Sequence, residues 1–282
     1  MKVALIQTRT PATHAGALAE LEPLIRDAAR QGAKLVATPE CSNLVQRDRS
    51  KLKPALTLLE QDPVVTRLRQ LARELDIEIL IGSALVRRDD GEAANRAVMI
   101  AASGDILATY DKIHMFDVDL PTGERARESE AYRAGEQAVL VETRLGATGL
   151  TICYDMRFPQ LYRALAKAGA QVIFAPAAFT RPTGAAHWHV LLRARAIECG
   201  AFVLAPAQGG FHEDGRGTFG HSLAVAPWGE IIGELNHDEP GVLVVDLELS
   251  EVARVRAAVP ALANDRPFAA PELIRATSEA EA

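Results

Sequence analysis

Short apolar runs, each followed by a stretch of helical periodicity, recur along this chain and constrain its fold more than any other feature. Residues 3–8, 34–39, 77–85, 171–175 and 202–207 read as strands, and 77–85 is apolar almost without interruption. Between them, residues 14–31 place Leu18, Leu21, Leu24, Ile25 and Ala28 at helical spacing, with Gly32 as a stop. Residues 63–75, 159–168 and 186–198 also read as helices. Alternation of this kind predicts an α/β fold in which helices cover the faces of sheets. Antiparallel hairpins interrupt it: 94–102 with 106–112 about Ser103-Gly104-Asp105, and 139–142 with 148–153 about Gly146. Residues 223–226, 230–235 and 242–246 read as successive antiparallel strands, joined by turns at Trp228-Gly229 and Glu239-Pro240-Gly241.

Two loops stand out. Residues 117–135 are charged and without apolar periodicity, and a loop of that length in a compact enzyme is often functional. Residues 209–220 are rich in glycine and are predicted to form a flexible loop. With no internal repeat and no interdomain linker, residues 1–270 are expected to form one domain and 271–282 a tail. The 48% hydrophobic content of 282 residues supports a sizeable core. A net charge of −6 argues against a broad nucleic-acid surface. No segment approaches a membrane span, and the apolar start is too short for a signal peptide. Cys41 and Cys199 have no evident pairing or metal spacing, so a reduced, cytoplasmic setting is expected.

Three strand-like runs end in chemically active groups. Gly149-Leu150-Thr151-Ile152-Cys153 ends in a thiol and Leu35-Val36-Ala37-Thr38-Pro39-Glu40 in a carboxylate, while Lys112 follows Ala108-Thr109-Tyr110-Asp111. Taken singly, these read as a small core hydrophobe, a solvated loop residue and a surface lysine. Together they supply thiol, base and cation at strand ends, where function collects and burial shifts pKa values.

In that order, the Glu40, Lys112 and Cys153 stretches resemble the nitrilase (carbon–nitrogen hydrolase) superfamily, and the likeness runs from Val3 to about Phe268. Cys153-Tyr154-Asp155-Met156-Arg157-Phe158-Pro159 is similar to the Nit and ω-amidase branch, whereas true nitrilases usually carry Cys-Trp-Glu there. Thr183-Gly184-Ala185-Ala186-His187-Trp188, Gly220-His221-Ser222 and Pro227-Trp228-Gly229 also resemble Nit proteins. Thr38 departs from the pattern, since many relatives have an apolar residue before Pro-Glu.

The resemblance implies a four-layer αββα sandwich with two mixed sheets and outer helices, no metal or cofactor, and a homodimer or higher homo-oligomer. It implies that Cys153 is the nucleophile, that Glu40 is a proton shuttle whose pKa burial raises, and that Lys112 and the Tyr154 N–H bind an oxyanion. It assigns Glu128, in the long loop, to holding Lys112 and positioning substrate. The implied substrate is a small carboxylate-bearing amide, foremost deaminated glutathione, cleaved to 2-oxoglutarate and cysteinylglycine. Alternatives are an ω-amidase acting on 2-oxoglutaramate or 2-oxosuccinamate, an N-carbamoyl amidohydrolase, or a non-catalytic scaffold that binds a partner through its helices. Arg216 is either a surface charge or a clamp for the remote substrate carboxylate. Arg157 is the second candidate for that clamp, or else a bridge between carboxylates. His187 and His189 are spaced so that they cannot share a helix face as metal ligands, which points to structural roles.

Overall fold

The computed structural model describes residues 1–121 and 123–274. Strand β1 (Lys2–Gln7) is buried at every position after its first, because each of its faces meets a different apolar layer. Val3 and Leu5 join the core between two sheets, whereas Ala4 and Ile6 join a core under helices. A run apolar on both faces is what such double coverage requires.

The first sheet has six strands in the order β16 (Gly241–Asp246), β1, β2 (Leu35–Ala37), β3 (Glu78–Arg87), β4 (Ala93–Ile100) and β5 (Ile106–Asp111). Its three strands β1, β2 and β3 run parallel, and the rest are antiparallel. The second sheet is ordered β15 (Ile231–Glu234), β14 (Leu223–Val225), β11 (Phe202–Ala205), β10 (Val172–Phe174), β9 (Gly146–Leu150) and β8 (Val139–Thr143). Here β9, β10 and β11 form the parallel centre. Helices α1 (His14–Arg30) and α3 (Pro63–Leu75) bury Leu21, Ile25, Leu68 and Leu71 on the outer face of the first sheet. Helices α4 (Pro159–Lys167) and α5 (Arg181–Cys199) bury Tyr162, Leu165, Trp188 and Leu192 on the second. The result is the expected αββα sandwich of two mixed sheets. A short α2 (Arg49–Ala55), a terminal α6 (Ser250–Ala258) and two small hairpins complete it.

The structure departs from the sequence reading in several places. Strand β16 pairs not with β15 but with β1 of the other sheet, in the register Val3↔Val245. Its Val242 and Val244 pack beside the outer helices while Val245 packs between the sheets, so it needs two covered faces. Helix α5 begins at Arg181 rather than at 186. Pro182 falls in its first turn, where a missing N–H costs nothing. Gly184 lies so close to Phe219 that a Cβ would sit 2.3 Å from the ring. Residues 209–220 fold as the hairpin β12 (Gly209–Phe211) and β13 (Gly217–Phe219). The loop 117–135 likewise contains the hairpin β6 (Asp117–Asp119) and β7 (Arg125–Arg127). Of the expected tail, residues 275–282 lie outside the described residues. Among the described residues no helix is long and apolar enough to cross a membrane.

Candidate active site

The site lies where β2 and β9 end. Beyond β2 the chain turns at Pro39, and Cys41 takes a left-handed φ of 57°. The Cys41 N–H donates to Ser83 Oγ at 2.8 Å. Thr38 accepts from Ser42 Oγ at 2.7 Å and from the Gly82 N–H at 3.2 Å, so the residue that departs from the family pattern stitches this corner to β3. Gly82 is required: a Cβ there would lie 2.0 Å from the Thr38 carbonyl oxygen. Glu40 is thereby held 4% exposed. Its Oε1 accepts from Lys112 Nζ at 2.8 Å and Asn95 Nδ2 at 2.9 Å, and its Oε2 from the Ala178 N–H at 2.8 Å.

Cys153 also sits in a left-handed conformation, with φ 47°, at the head of a tight turn spanning Cys153–Arg157. Its N–H donates to the Pro176 carbonyl at 2.8 Å, whereas the next N–H, that of Tyr154, has no partner among the described residues. Asp155 clamps the turn. Its carboxylate accepts from Tyr110 Oη at 2.7 Å, from the His114 N–H at 3.1 Å and from the Ile152 N–H at 2.9 Å. His114 Nδ1 is a further 2.7 Å neighbour of the same carboxylate. The Cys153 turn is thus fastened to the end of β5, the strand that delivers Lys112.

Lys112 reaches both oxygens of Glu128, at 3.0 and 2.8 Å, as well as Glu40. Asn95 Nδ2 bridges the two carboxylates, lying 3.1 Å from Glu128 Oε1. The Phe116 N–H also donates to Glu128 Oε2, at 2.7 Å. One buried ammonium is therefore shared by two carboxylates, an arrangement that tolerates burial because every charge is paired.

The electrostatics differ from the sequence expectation. Burial alone pushes the Glu40 carboxyl up, but the Lys112 charge and the hydrogen bonds from Lys112, Cys153 and Ala178 outweigh it. Glu40 is held below the usual carboxylate range, not raised, and rests ionised. Burial pushes Lys112 down, yet Glu128 and Glu40 overcome it and hold the ammonium well above its ordinary value. Burial, and then the charge of Glu40, push the Cys153 thiol well above its ordinary value. The resting set is a thiol hydrogen-bonded to a carboxylate, not a preformed thiolate.

These groups open onto a cavity of about 970 Å³, lined by Glu40, Lys112, Glu128, Cys153, Tyr154 and Arg216 among others. Arg157 does not line it. Its guanidinium lies 5.4 Å from the ring centre of Phe179, which does line the cavity, and its Nη2 is 3.2 Å from His187 Nδ1. His189 Nε2 pairs with Glu234 at 2.8 Å. Of the helix arginines, Arg195 donates to the Met156 carbonyl at 2.7 Å and pairs with Glu198 at 2.8 Å. Asn95 and the Ala178 N–H carry no local mark in the sequence beyond a polar residue or a backbone amide beside apolar runs, and Asp155, though part of the motif after Cys153, gave no sign there of its clamping role.

A sequence signature described as carbon-nitrogen hydrolase matches residues 2–257. The chain belongs to the carbon–nitrogen hydrolase family. This carbon–nitrogen hydrolase, an enzyme that cleaves carbon–nitrogen bonds, is 41% identical over 249 residues to a Synechocystis protein named deaminated glutathione amidase, covering 87% of this chain and 90% of that one. The hydrolase also superposes on the C. elegans NitFhit structure with a TM-score of 0.87 and 32% identity, covering 94% of this chain and 65% of that one. A Nesterenkonia amidase variant with acrylamide added at its active-site cysteine has a TM-score of 0.75 and 30% identity, covering 92% and 98%.

Proposed function

We propose that this hydrolase cleaves a small carboxylate-bearing amide through a Cys153 thioester, with deaminated glutathione as its substrate. The observation that carries the chemistry is the convergence of Cys153, Glu40 and Lys112 on one cavity beside the unpartnered Tyr154 N–H. Cys153 Sγ attacks the amide carbonyl carbon while Glu40 accepts the thiol proton. Lys112 and the Tyr154 N–H stabilise the oxyanion, and one such donor is worth about 3–4 kcal/mol in the transition state. A single Lys112 N–H suffices to hold Glu128, which frees the other for the oxyanion. Glu40 then gives its proton to the departing amine. Water attacks the thioester as Glu40 takes a proton from it, and that proton returns to the Cys153 sulfur when the acid leaves.

The substrate reading is supported by relatives 38–41% identical that carry the name deaminated glutathione amidase, and by Arg216 in the cavity wall. A cavity of about 970 Å³ is roomy enough for a tripeptide-sized ligand. Arg157 supports the wall through Phe179 instead of touching substrate. The three free, buried cysteines suit a reduced, cytoplasmic compartment. Val190, Ile197 and Trp228 are 68%, 53% and 52% exposed on and beside α5, a surface suited to a two-fold homodimer. Light scattering at micromolar concentration tests that assembly.

The chemistry is tested by mass spectrometry of the Glu40→Gln enzyme incubated with substrate. An acyl adduct is expected on Cys153, and an adduct on Cys41 or Cys199 instead would sink the assignment. For substrate, kcat/KM on deaminated glutathione is compared with 2-oxoglutaramate and an N-carbamoyl amino acid. A preference for 2-oxoglutaramate would replace this reading with an ω-amidase.

A further inference from the structure

We propose that Arg216 and Arg47 bind the two carboxylates of a dicarboxylic amide, Arg216 that of the acyl part and Arg47 that of the departing amine. This rests on the substrate reading above. It also reassigns Arg216, which the sequence suggested for the remote carboxylate.

The cavity wall carries several cations, but most are already committed. Lys112 is held by Glu40 and Glu128. Arg49 pairs with Glu130 at 2.9 Å, and Arg125 and Arg127 pair with Asp119 at 3.0 and 2.6 Å. Arg47 differs. Among the described residues its guanidinium has neither an ion pair nor a hydrogen bond, although the residue lines the cavity. The Arg216 guanidinium makes no hydrogen bond either, and its one ion pair, to Asp214, is long at 3.4 Å. Lys51, which also lines the cavity, is exposed and loosely paired with Asp48 at 3.8 Å, but its ammonium is a single point charge. Arg47 and Arg216 are the loosely held guanidinium forks of the wall.

Their relative placement is built into the loops. The Asp214 carboxylate is 1% exposed, and it accepts from the Arg47 backbone N–H at 3.0 Å and from the Arg216 backbone N–H at 2.9 Å. One buried carboxylate therefore pins the turn at 46–48 to the β12–β13 hairpin. Arg47 Nη2 packs 3.7 Å from where a Cβ would stand on Gly215, so the guanidinium rests over the same turn.

Depth separates the two. Arg216 is partly buried in the cavity wall, its side chain 30% exposed. Arg47 is exposed, at the mouth. In a 2-oxo acyl amide whose amine carries its own carboxylate, the scissile carbonyl separates the two anions. With that carbonyl held at Cys153 and Lys112, one carboxylate stays deep with the acyl chain and the other points outward with the leaving amine. A single cation cannot meet both. A guanidinium offers each carboxylate two parallel hydrogen bonds. A short amide such as 2-oxoglutaramate has only the inner carboxylate and engages Arg216 alone.

The test compares kcat/KM for deaminated glutathione and 2-oxoglutaramate in the full-length enzyme and in Arg47→Gln and Arg216→Lys, with thermal melts to verify folding. Arg47→Gln is expected to lower the ratio of the two values about tenfold or more, through KM. Amidating the glycine carboxylate of deaminated glutathione should cost the unmodified enzyme a similar factor, and the loss should not compound in Arg47→Gln. Arg216→Lys is expected to lower both values together and leave the ratio nearly fixed. An unchanged ratio in Arg47→Gln, or a ratio that falls only in Arg216→Lys, overturns the assignment. If the unmodified enzyme fails to cleave deaminated glutathione at all, the substrate reading fails first, and that is seen before any variant is made.

Discussion

Asn95 Nδ2 stands 2.9 Å from Glu40 Oε1 and donates from the same nitrogen to Glu128, so one carboxamide holds two carboxylates around Lys112. A donor to the ionised form favours ionisation, and removing it raises the carboxyl pKa. In Asn95→Ala the acid limb of kcat/KM is therefore expected to move to higher pH by about one unit. Asn95→Asp, which adds a third negative charge, should move it further. A lower plateau with an unmoved limb would show that Asn95 only fills space.

The resting protonation states set the pH profile of the unmodified enzyme. Glu40 is held low while Cys153 and Lys112 are held high. kcat/KM should then be level from about pH 5 to about pH 9. A limb with its midpoint between pH 6 and 8 would point to a resting thiolate. Iodoacetamide should correspondingly alkylate Cys153 at neutral pH no faster than an ordinary thiol, and substrate should protect it.

Removing the shared cation exposes what it neutralises. In Lys112→Met, Glu40 and Glu128 are left buried as like charges, at an expected cost of about 3–5 kcal/mol. The folded-state pKa of Glu40, no longer held down by Lys112, then rises above its unfolded value. Stability is present at low pH and lost as pH rises through the raised value. Thermal melts should show the variant gaining stability between pH 7 and pH 5, with no matching gain in the unmodified enzyme.

Gly82 tests the corner that carries Glu40. A methyl group there would lie 2.0 Å from Thr38 O and 2.6 Å from Pro39 O, and both are backbone atoms. Gly82→Ala must push the corner away from β3. A loss of about 2–4 kcal/mol in urea unfolding is expected. A displacement of Glu40 by ~1 Å should also lower kcat about a hundredfold. Full activity in a folded Gly82→Ala protein would show that the corner adapts.

Most strands were legible because each needs two covered faces, and that requirement is written locally as an unbroken apolar run. Glu40, Lys112 and Cys153 stood out as candidates only together, as three polar groups closing apolar runs in the order that resembles the carbon–nitrogen hydrolases; singly, each read as an ordinary residue. The start of α5, expected at 186, was not legible, because what holds its first turn is Phe219 packed against Gly184, a contact between distant segments. Nor was the partner of β16, since an edge strand's own residues do not say which of two sheets will receive it.

By itself the sequence determined the α/β class, the order of the elements and three strand ends bearing a carboxylate, a lysine and a thiol, because these follow from polarity and spacing between near neighbours. Only the tertiary structure decided which groups surround them. Ala178 reaches Glu40 across a separation of 138 residues, Asn95 across 55, and Asp155 secures Tyr110 across 45. Those contacts, and the choice between a raised and a lowered Glu40, depend on distances of a few ångströms in a buried, low-dielectric setting. There one ammonium at 2.8 Å outweighs the cost of burial, and no local pattern encodes its approach.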